Sequence, residues 1–231
     1  MGSLIAAALA RAQGFLLEPA AAVEPAPTAI APAPLASCGP VDVVVTGLSR
    51  RSGATTVAAG LAQALAVPGG RSAHLVSLRA EPGGARRAPP GVAAWELPPA
   101  LRDAEEVADY GATLGRLAAG GGEAAVVWDV RADDVARAAR LMEDCDAVVC
   151  VAAGSAEPAL CTLVCEMLAE RYGRVVLVAN RVDDEGAWSR RAAVAVPDSR
   201  LAAILIARGR TPGGAVGASM SRLAALVEEQ K

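Results

Sequence analysis

The stretch Val41–Leu65 constrains the fold more than any other part of the chain, and it reads VDVVVTGLSRRSGATTVAAGLAQAL. Its β-branched run Val43–Val45 predicts a strand, and the spacing of Val57, Leu61 and Leu65 predicts one face of a helix. A turn rich in Gly, Ser and Arg joins the two. Backbone N–H groups and the positive end of the helix dipole then point at one place, which predicts a phosphate-binding loop.

This loop departs from the ordinary phosphate-binding motif G-x-x-x-x-G-K-[ST]. In that motif the lysine reaches the β- and γ-phosphates and the hydroxyl binds Mg²⁺. Aligned on Gly53-x-Thr55, the lysine position holds Ala54 and the first glycine position holds Leu48. The only lysine of the whole chain is Lys231. The loop therefore lacks its phosphate-binding cation unless an arginine of the turn takes that place.

Composition and charge exclude several classes of protein. The 231 residues are 53% hydrophobic and 3% aromatic, which suits one α/β domain with small core side chains. The net charge of -3 gives no global attraction to nucleic acid, so we expect no nucleic-acid partner. No apolar run approaches the roughly 18 to 20 residues of a membrane span, so we expect no stable membrane insertion.

The five cysteines form no C-x-x-C pair, and their number is odd. Cys161 and Cys165 lie one helical turn apart, but no histidine or acidic partner completes a metal site, and His74 is the only histidine. We therefore predict reduced, buried thiols in a cytoplasmic protein.

Composition also divides the chain into three parts. Residues 1–17 carry apolar side chains at roughly helical spacing and predict an apolar helix. Residues 18–40 are rich in Pro and Ala and predict a disordered linker with extended polyproline geometry. Residues 41–231 predict the folded domain. The leading helix either packs back on this domain or frays, or it docks on a partner protein.

From residue 41 onward, strand and helix patterns alternate. Continuous apolar strands separated by helices predict a doubly wound, mostly parallel α/β sheet with helices on both faces, a three-layer sandwich. The predicted strands are 43–45, 72–78, 123–130, 147–152, 174–179 and 192–196; the predicted helices are 53–65, 101–117, 132–143, 157–171, 201–208 and 220–229, with a loop at 79–99. Ligands of such sheets bind beyond the carboxyl ends of the strands, where Ser77, Asp129, Asn180 and residues 46–56 fall. The sequence therefore predicts one site at that edge.

Four segments in this order resemble the MinD/ParA branch of the P-loop ATPases, within the SIMIBI superfamily. They are VVVTGLSRRSGATTVA for the loop, VVWDVRA for the Walker B strand, LVANRVDD for the adenine-contacting strand and VAVPDSRLAAILIARGRTPGG for the late strand and helix. The loop ending is similar to that of the CpaE/TadZ and septum-site-like proteins, in which the Walker A motif is degenerate and the loop lysine is missing.

The resemblance implies a site for ATP or ADP with Mg²⁺. Its metal residues would be Thr55 and Asp129. The other implied cofactor-binding residues are Arg50, Arg51, Ser52, Gly53, Ala54 and Thr56 in the loop, with Asn180, Pro197 and Asp198 near the adenine. Ordinary structural roles remain open for the same residues. Thr55 and Thr56 would cap the helix, and Asp129 would cap the turn after its strand. Asn180 would be an ordinary turn residue, and Arg50 and Arg51 would be solvated loop charges.

The departures from the family fall where charge is needed. The lysine that reaches across the family's dimer falls at Ser49, and the acidic residues that close the second strand fall at Ser77 and Arg79. Each lost charge-assisted phosphate contact weakens binding by roughly 1.5 to 3 kcal/mol, and a lost transition-state donor costs about 10² to 10³ in rate. Two loop glycines become Arg50 and Arg51, whose side chains we expect where phosphate oxygens would approach the backbone.

The resulting hypothesis is a pseudo-ATPase with no catalytic residue. It would serve as a scaffold or positioning factor for a Tad-type pilus or for cell division. Protein partners would bind through residues 1–17, and a homodimer would form across the phosphate-loop face. The alternative hypothesis is a slow, partner-stimulated ATPase in which Arg50 or Arg51 replaces the missing lysines. A middle case, nucleotide binding without hydrolysis, also stays open.

Overall fold

The computed structural model describes residues 41–66, 71–78, 91–97, 101, 103–119, 124–183 and 185–229. The apolar helix at 1–17 and the linker at 18–40 lie outside the described residues, so both stay predictions.

Strands and helices follow one another along the described chain, in alternation over most of it. The strands are β1 (Val41–Gly47), β2 (Ser72–Leu78), β3 (Val92–Glu96), β4 (Ala124–Val130), β5 (Ala147–Ala153), β6 (Val175–Val182) and β7 (Val194–Pro197). The α-helices are α1 (Ala54–Ala66), α2 (Ala104–Ala119), α3 (Ala139–Asp144), α4 (Pro158–Tyr172), α5 (Arg200–Ala207) and α6 (Gly214–Glu228). Short 3₁₀ helices cover Ala132–Asp134 and Glu185–Ala187.

In the described ranges the strands form one seven-stranded sheet in the order β3-β2-β4-β1-β5-β6-β7. Every pairing in it is parallel, which confirms the predicted doubly wound α/β class. The central strands are Val-rich and buried along nearly their whole length. Such strands need helices on both faces, because neither face can be left to water.

Alternation along β1 sends successive valines to opposite core layers. Val43 and Val45 pack in the layer that contains Leu61 of α1 and the buried side chains of α5 and α6. Val44 packs in the other layer with Trp128 and the buried side chains of α2, α3 and α4. Both layers pack against β1, and β1 in turn positions the start of the loop that follows Gly47.

The loop predicted at 79–99 was wrong in its last part, because β3 lies there. Only the first residue of this edge strand, Val92, is buried, so the usual apolar alternation is missing. Trp95 holds β3 against β2: its indole Nε1–H donates to Nδ1 of His74 at 3.1 Å. Burial lowers the pKa of His74, which keeps Nδ1 available as an acceptor.

The helix predicted at 132–143 was also wrong, because a 3₁₀ turn and a short α3 replace it. The buried carboxylate of Asp134 accepts hydrogen bonds from Arg131 Nε at 3.0 Å and Arg137 Nη1 at 3.2 Å. These charge-assisted bonds fix the tight turn directly after β4. In addition, α6 begins at Gly214 and not at the predicted residue 220, because its glycine-rich first turn hides the helical pattern.

Asp42, at the opposite end of β1 from the loop, gives the fold a pH dependence. Burial raises its pKa from 3.8 to about 7, although Trp128 Nε1–H donates to its carboxylate at 2.6 Å. The folded state therefore keeps a proton that the unfolded state loses near pH 4, and the free energy of unfolding falls as pH rises from about 4 to about 7.

We expect Asp42→Asn to remove this pH dependence of the free energy of unfolding. Denaturant unfolding at pH 5 and pH 8 gives the free energy of unfolding of the variant relative to that of the wild type. We expect this difference to grow in favour of the variant by up to about 1.4 kcal/mol per pH unit as pH rises toward 7. An equal difference at both pH values would contradict the prediction.

Candidate functional site

The polar residues predicted at strand ends do come together at the carboxyl edge of the sheet. Asp129 of β4 lies opposite Val45 of β1 on one side and Ser77 of β2 on the other. Asn180 of β6 lies opposite the last residue of β5, at the same edge. The loop between β1 and α1 passes over this group, since it begins where β1 ends.

The loop contains two residues in a backbone conformation that glycine usually adopts. Leu48 N–H donates to Val151 O at 2.9 Å, and Gly53 O accepts from the N–H groups of Thr56 and Val57 as α1 begins. Arg51 has φ 64° and Gly53 has φ 87°, so both lie in the left-handed region. A non-glycine residue there costs roughly 1 to 2 kcal/mol. The fold therefore keeps this turn although arginine makes it unfavourable.

Asn180 fastens the loop to β6. Its Nδ2–H donates to Ser52 O at 2.8 Å, and the side chain is 5% exposed. A Cβ added at Gly53 would lie only 2.1 Å from that Nδ2 atom. The sequence predicted Asn180 as an adenine contact and missed this structural role. The adenine contact stays a prediction. Because one Nδ2–H is bonded to Ser52 O, the adenine contact would be made by Oδ1 or by the second hydrogen of Nδ2.

Thr55 and Asp129 form the centre of the site. Thr55 Oγ1–H donates to Asp129 Oδ1 at 3.0 Å, and Asp129 is 2% exposed. A hydroxyl at the first turn of α1 beside a buried carboxylate supplies the hard oxygen atoms that Mg²⁺ prefers. The residues present therefore fit a Mg²⁺ ion held by Thr55, directly or through water with Asp129.

Two cavities open at this edge. The larger, about 600 Å³, is lined by residues 49–56 of the loop and by residues 130–133 after β4. The smaller, about 280 Å³, is lined by Asn180, Pro197 and Asp198 together with parts of α5 and α6. Thr56 and Arg181 line both cavities. A ligand with a phosphate end and a ring end would extend from one into the other.

The arginines around the larger cavity fall into two groups. Arg50 binds Asp133 at 3.0 Å, and its side chain is 81% exposed. Arg131 is paired with the buried Asp134. Among the described residues, Arg51 and Arg181 have no ion-pair partner. Arg50 and its partner Asp133 both line the larger cavity, so the expectation that arginine side chains take the phosphate position stays a prediction.

Two residues of the site were missed by sequence reasoning. Asp133 lines the larger cavity, and the sequence pattern placed it in a helix. Arg181 follows Asn180 in the quoted segment LVANRVDD, yet its position at both cavities could not be read from that segment. The alternation of side chains along a strand predicts the face of the sheet on which each one lies. The strand pairing is irregular at Arg181, so the alternation is broken there.

Comparison with known proteins identifies the fold. No protein-family model matches the chain, and the search of curated proteins found no match. Among solved structures, the ParA family ATPase from Chlorobium tepidum TLS superimposes with a TM-score of 0.61 at 12% identity, covering 82% of this chain and 99% of its own. The fold is that of the ParA and MinD ATPases.

Two further ParA/MinD-type structures agree. The MinD cell division protein of Aquifex aeolicus has a TM-score of 0.60 at 14% identity and covers 83% of this chain and 98% of its own. A chain of the MinC:MinD cell division protein complex from the same organism has a TM-score of 0.58 at 16% identity, covering 80% of this chain and 95% of its own. At these identities the likeness concerns the fold.

The cysteines of the described residues lie away from this site in the sequence. Cys150, Cys161 and Cys165 are buried and free, as predicted, and burial raises the pKa of Cys145 to about 12. The described segments contain no group of three or more His, Cys, Asp or Glu side chains arranged to hold a metal ion. Within the same segments, no helix combines the length and apolar character needed to cross a membrane.

Proposed function

We propose that this chain binds ATP or ADP with Mg²⁺ at the loop after β1, does not turn it over at a useful rate, and acts as a positioning scaffold. The observation that carries the proposal is the Thr55–Asp129 hydrogen bond beside an open cavity of about 600 Å³. A cavity of this size is in the range of small-molecule sites. The ParA/MinD fold supports the choice of ligand, because the similar structures are named as ATPases or MinD.

Each part of the site has a role in this proposal. Thr55 and Asp129 hold Mg²⁺, which when bound neutralises phosphate charge. The backbone N–H groups of the loop and those of Ala54 and Thr55 at the start of α1 bind phosphate oxygens, since the first N–H groups of a helix have no intrahelical acceptor. Asn180, Pro197 and Asp198 surround the base in the smaller cavity.

The absence of turnover follows from the missing charges. The positions of the two family lysines hold Ser49 and Ala54, and neither side chain is cationic. The end of β2 presents Ser77, which is 5% exposed and cannot take a proton from water as a carboxylate can. Asp133 lines the cavity, but it is paired with Arg50. Losing one transition-state donor already costs about 10² to 10³ in rate.

The alternative is a slow, partner-stimulated ATPase that uses Arg50 or Arg51. One observation favours keeping it: the Arg50–Asp133 pair is on the surface, and such pairs contribute only about 0 to 1 kcal/mol. Arg50 can therefore leave Asp133 for a phosphate at little cost. Phosphate release that disappears in Arg50→Ala or Arg51→Ala would select this alternative.

The scaffold part of the proposal needs a protein partner. On α4, Leu160, Leu163 and Met167 share one face and are 52 to 63% exposed, which is an apolar surface of the kind that partners cover. A similar structure is named as a complex of MinC and MinD, and we propose an equivalent protein contact here. Residues 1–17 and a homodimer across the loop face remain further candidate contacts. The system served would be a CpaE/TadZ-type pilus or cell division, in the cytoplasm.

Calorimetric titration of Mg-ATP into the full chain tests the binding step. We expect micromolar to millimolar binding that depends on Mg²⁺. Thr55→Val removes the hydroxyl without changing side-chain volume, so it should abolish the Mg²⁺ dependence and weaken Mg-ATP binding about tenfold or more. Thr162→Val on α4, far from the site in sequence and bonded to Pro158 O, is the matched control. Binding by Thr55→Val equal to that of the wild type, with or without Mg²⁺, would refute the proposed role of this residue.

A further inference from the structure

Arg181 occupies an irregular point of β6. Asn180 pairs with Val196 of β7 and Val182 pairs with Pro197, so two steps along β6 match one step along β7. Arg181 is the extra residue of this β-bulge. Bulges are frequent beside functional sites, where they turn a side chain away from the direction that the strand would give it.

The bulge also holds Arg181 in an unfavourable backbone conformation. Its φ is 60°, in the left-handed region that glycine adopts far more readily than arginine. The backbone of Gly154, the residue after β5, lies close to this point, because a Cβ added there would be 2.2 Å from Arg181 O. Strain of this kind persists where the surrounding structure enforces it, often at binding sites.

The side chain of Arg181 lies where the two cavities meet. It lines the larger cavity with the loop and the smaller cavity with Pro197 and Asp198. Its Nη2 atom is 3.8 Å from the point where a Cβ of Gly53 would stand, which places the guanidinium directly beside the loop backbone. The residue is exposed, and no described residue forms an ion pair with it.

We propose that Arg181 supplies the phosphate-binding cation that the loop lacks, by contacting the phosphate chain of a nucleoside diphosphate or triphosphate at the junction of the two cavities. This rests on the proposed function. An arginine fork binds phosphate oxygens in a bidentate manner, so one residue delivers charge and orientation together. The cation comes from the β6 side of the site, in place of the usual position at the start of α1.

The loop arginines fit this role less well. Arg50 is turned toward Asp133, and Arg51 lines only the larger cavity. Arg181 alone among these three also borders the pocket of Asn180, where the base is proposed to sit. A cation there acts on the phosphates nearest the ribose, which ADP and ATP share.

The test measures affinity and stability of Arg181→Gly in the same preparation. Mg-ADP is titrated calorimetrically into the full chain at low and high salt, and melting is followed by circular dichroism. We expect Arg181→Gly to bind Mg-ADP about 10- to 100-fold more weakly, with a smaller salt dependence. The melting temperature should rise by about 2 to 4 °C, since glycine relieves the left-handed strain. Arg181→Lys should recover part of the affinity, because it restores charge without the fork.

Arg222→Ala is the charge-matched control, since Arg222 is exposed on α6 and lines neither cavity. It should bind Mg-ADP like the wild type. If Arg181 had a purely structural role, the melting temperature and the Mg-ADP affinity of Arg181→Gly would change in the same direction. We expect the melting temperature to rise and the affinity to fall. Equal Mg-ADP affinity in wild type and Arg181→Gly overturns this inference and leaves the proposed function standing. No Mg-ADP or Mg-ATP binding by the wild type overturns both.

Discussion

Replacing Gly53 with alanine is expected to lower the free energy of unfolding by about 2 to 4 kcal/mol and to abolish nucleotide binding. Two effects add. The backbone at φ 87° strains any residue with a Cβ, and that Cβ would lie 2.1 Å from Asn180 Nδ2. The collision breaks the buried hydrogen bond from Asn180 to Ser52 O. The loop must then move away from β6, which opens the cradle that binds phosphate.

Gly173→Ala separates strain from collision in this prediction. Gly173 ends α4 with φ 76°, and a Cβ added there has nothing within 4 Å. The free energy of unfolding of Gly173→Ala should therefore fall by only roughly 1 kcal/mol, from the backbone strain alone, and Mg-ATP binding should be unchanged. Urea denaturation and Mg-ATP calorimetry on both variants provide the comparison. Losses of the same size in Gly53→Ala and Gly173→Ala would show that the contact with Asn180 contributes nothing.

Replacing Asn180 with leucine is the second large effect, an expected loss of about 1 to 3 kcal/mol. The substitution removes the donor and leaves the carbonyl of Ser52 without it, in a place where both residues are almost fully buried. An unsatisfied buried carbonyl costs more than the net value of an ordinary hydrogen bond. Hydrogen exchange should show faster exchange at residues 50–54 than in the wild type.

Thr46→Val is the matched control for this experiment. Thr46 is also buried at the carboxyl end of a strand, but its Oγ1 has no hydrogen-bond partner in the described structure. Removing that hydroxyl should be neutral or stabilising by up to about 1 kcal/mol. A loss in Thr46→Val as large as that in Asn180→Leu would mean that the fastening role assigned to Asn180 is not specific.

Much of the fold was readable from the sequence, because its central strands are continuous apolar runs. β2 was predicted with its observed bounds, and the strand containing Asp129 and the one containing Cys150 were each predicted to within one residue of theirs. These strands are buried on both faces, so their composition depends little on which neighbours they have. The shared edge followed from the parallel arrangement alone, as did the meeting of Asp129 with the loop.

The remaining features depend on contacts that no periodicity encodes. β3 is an edge strand with one buried residue, so it leaves no apolar pattern to detect. The bond from Asn180 to the loop joins residues 128 positions apart. The bulge at Arg181 arises from the pairing of β6 with β7 and has no local signature. Consequently the position of the loop was predictable, while the groups that hold it and border it were not.

The structure also explains how a loop without lysine keeps its shape. The bonds that fix it come from Val151 O, from Asn180 and from the Thr55–Asp129 pair, none of which involves a lysine. Loss of the lysines removes charge from the site and leaves these contacts in place. Shape and catalytic charge are thus separable in this fold, which is the basis of the proposed binding without turnover.

The most direct measurement of this claim counts bound nucleotide and released phosphate in one sample. The full chain is brought to equilibrium across a dialysis membrane with Mg²⁺ and ATP labelled on the γ-phosphate, so that weakly bound nucleotide on the protein side is counted as well. The account predicts retained nucleotide at up to one per chain, with free phosphate at the level of a protein-free blank over hours. Repeated turnover that Asp129→Ala abolishes, or no retained nucleotide at millimolar ATP, would contradict it.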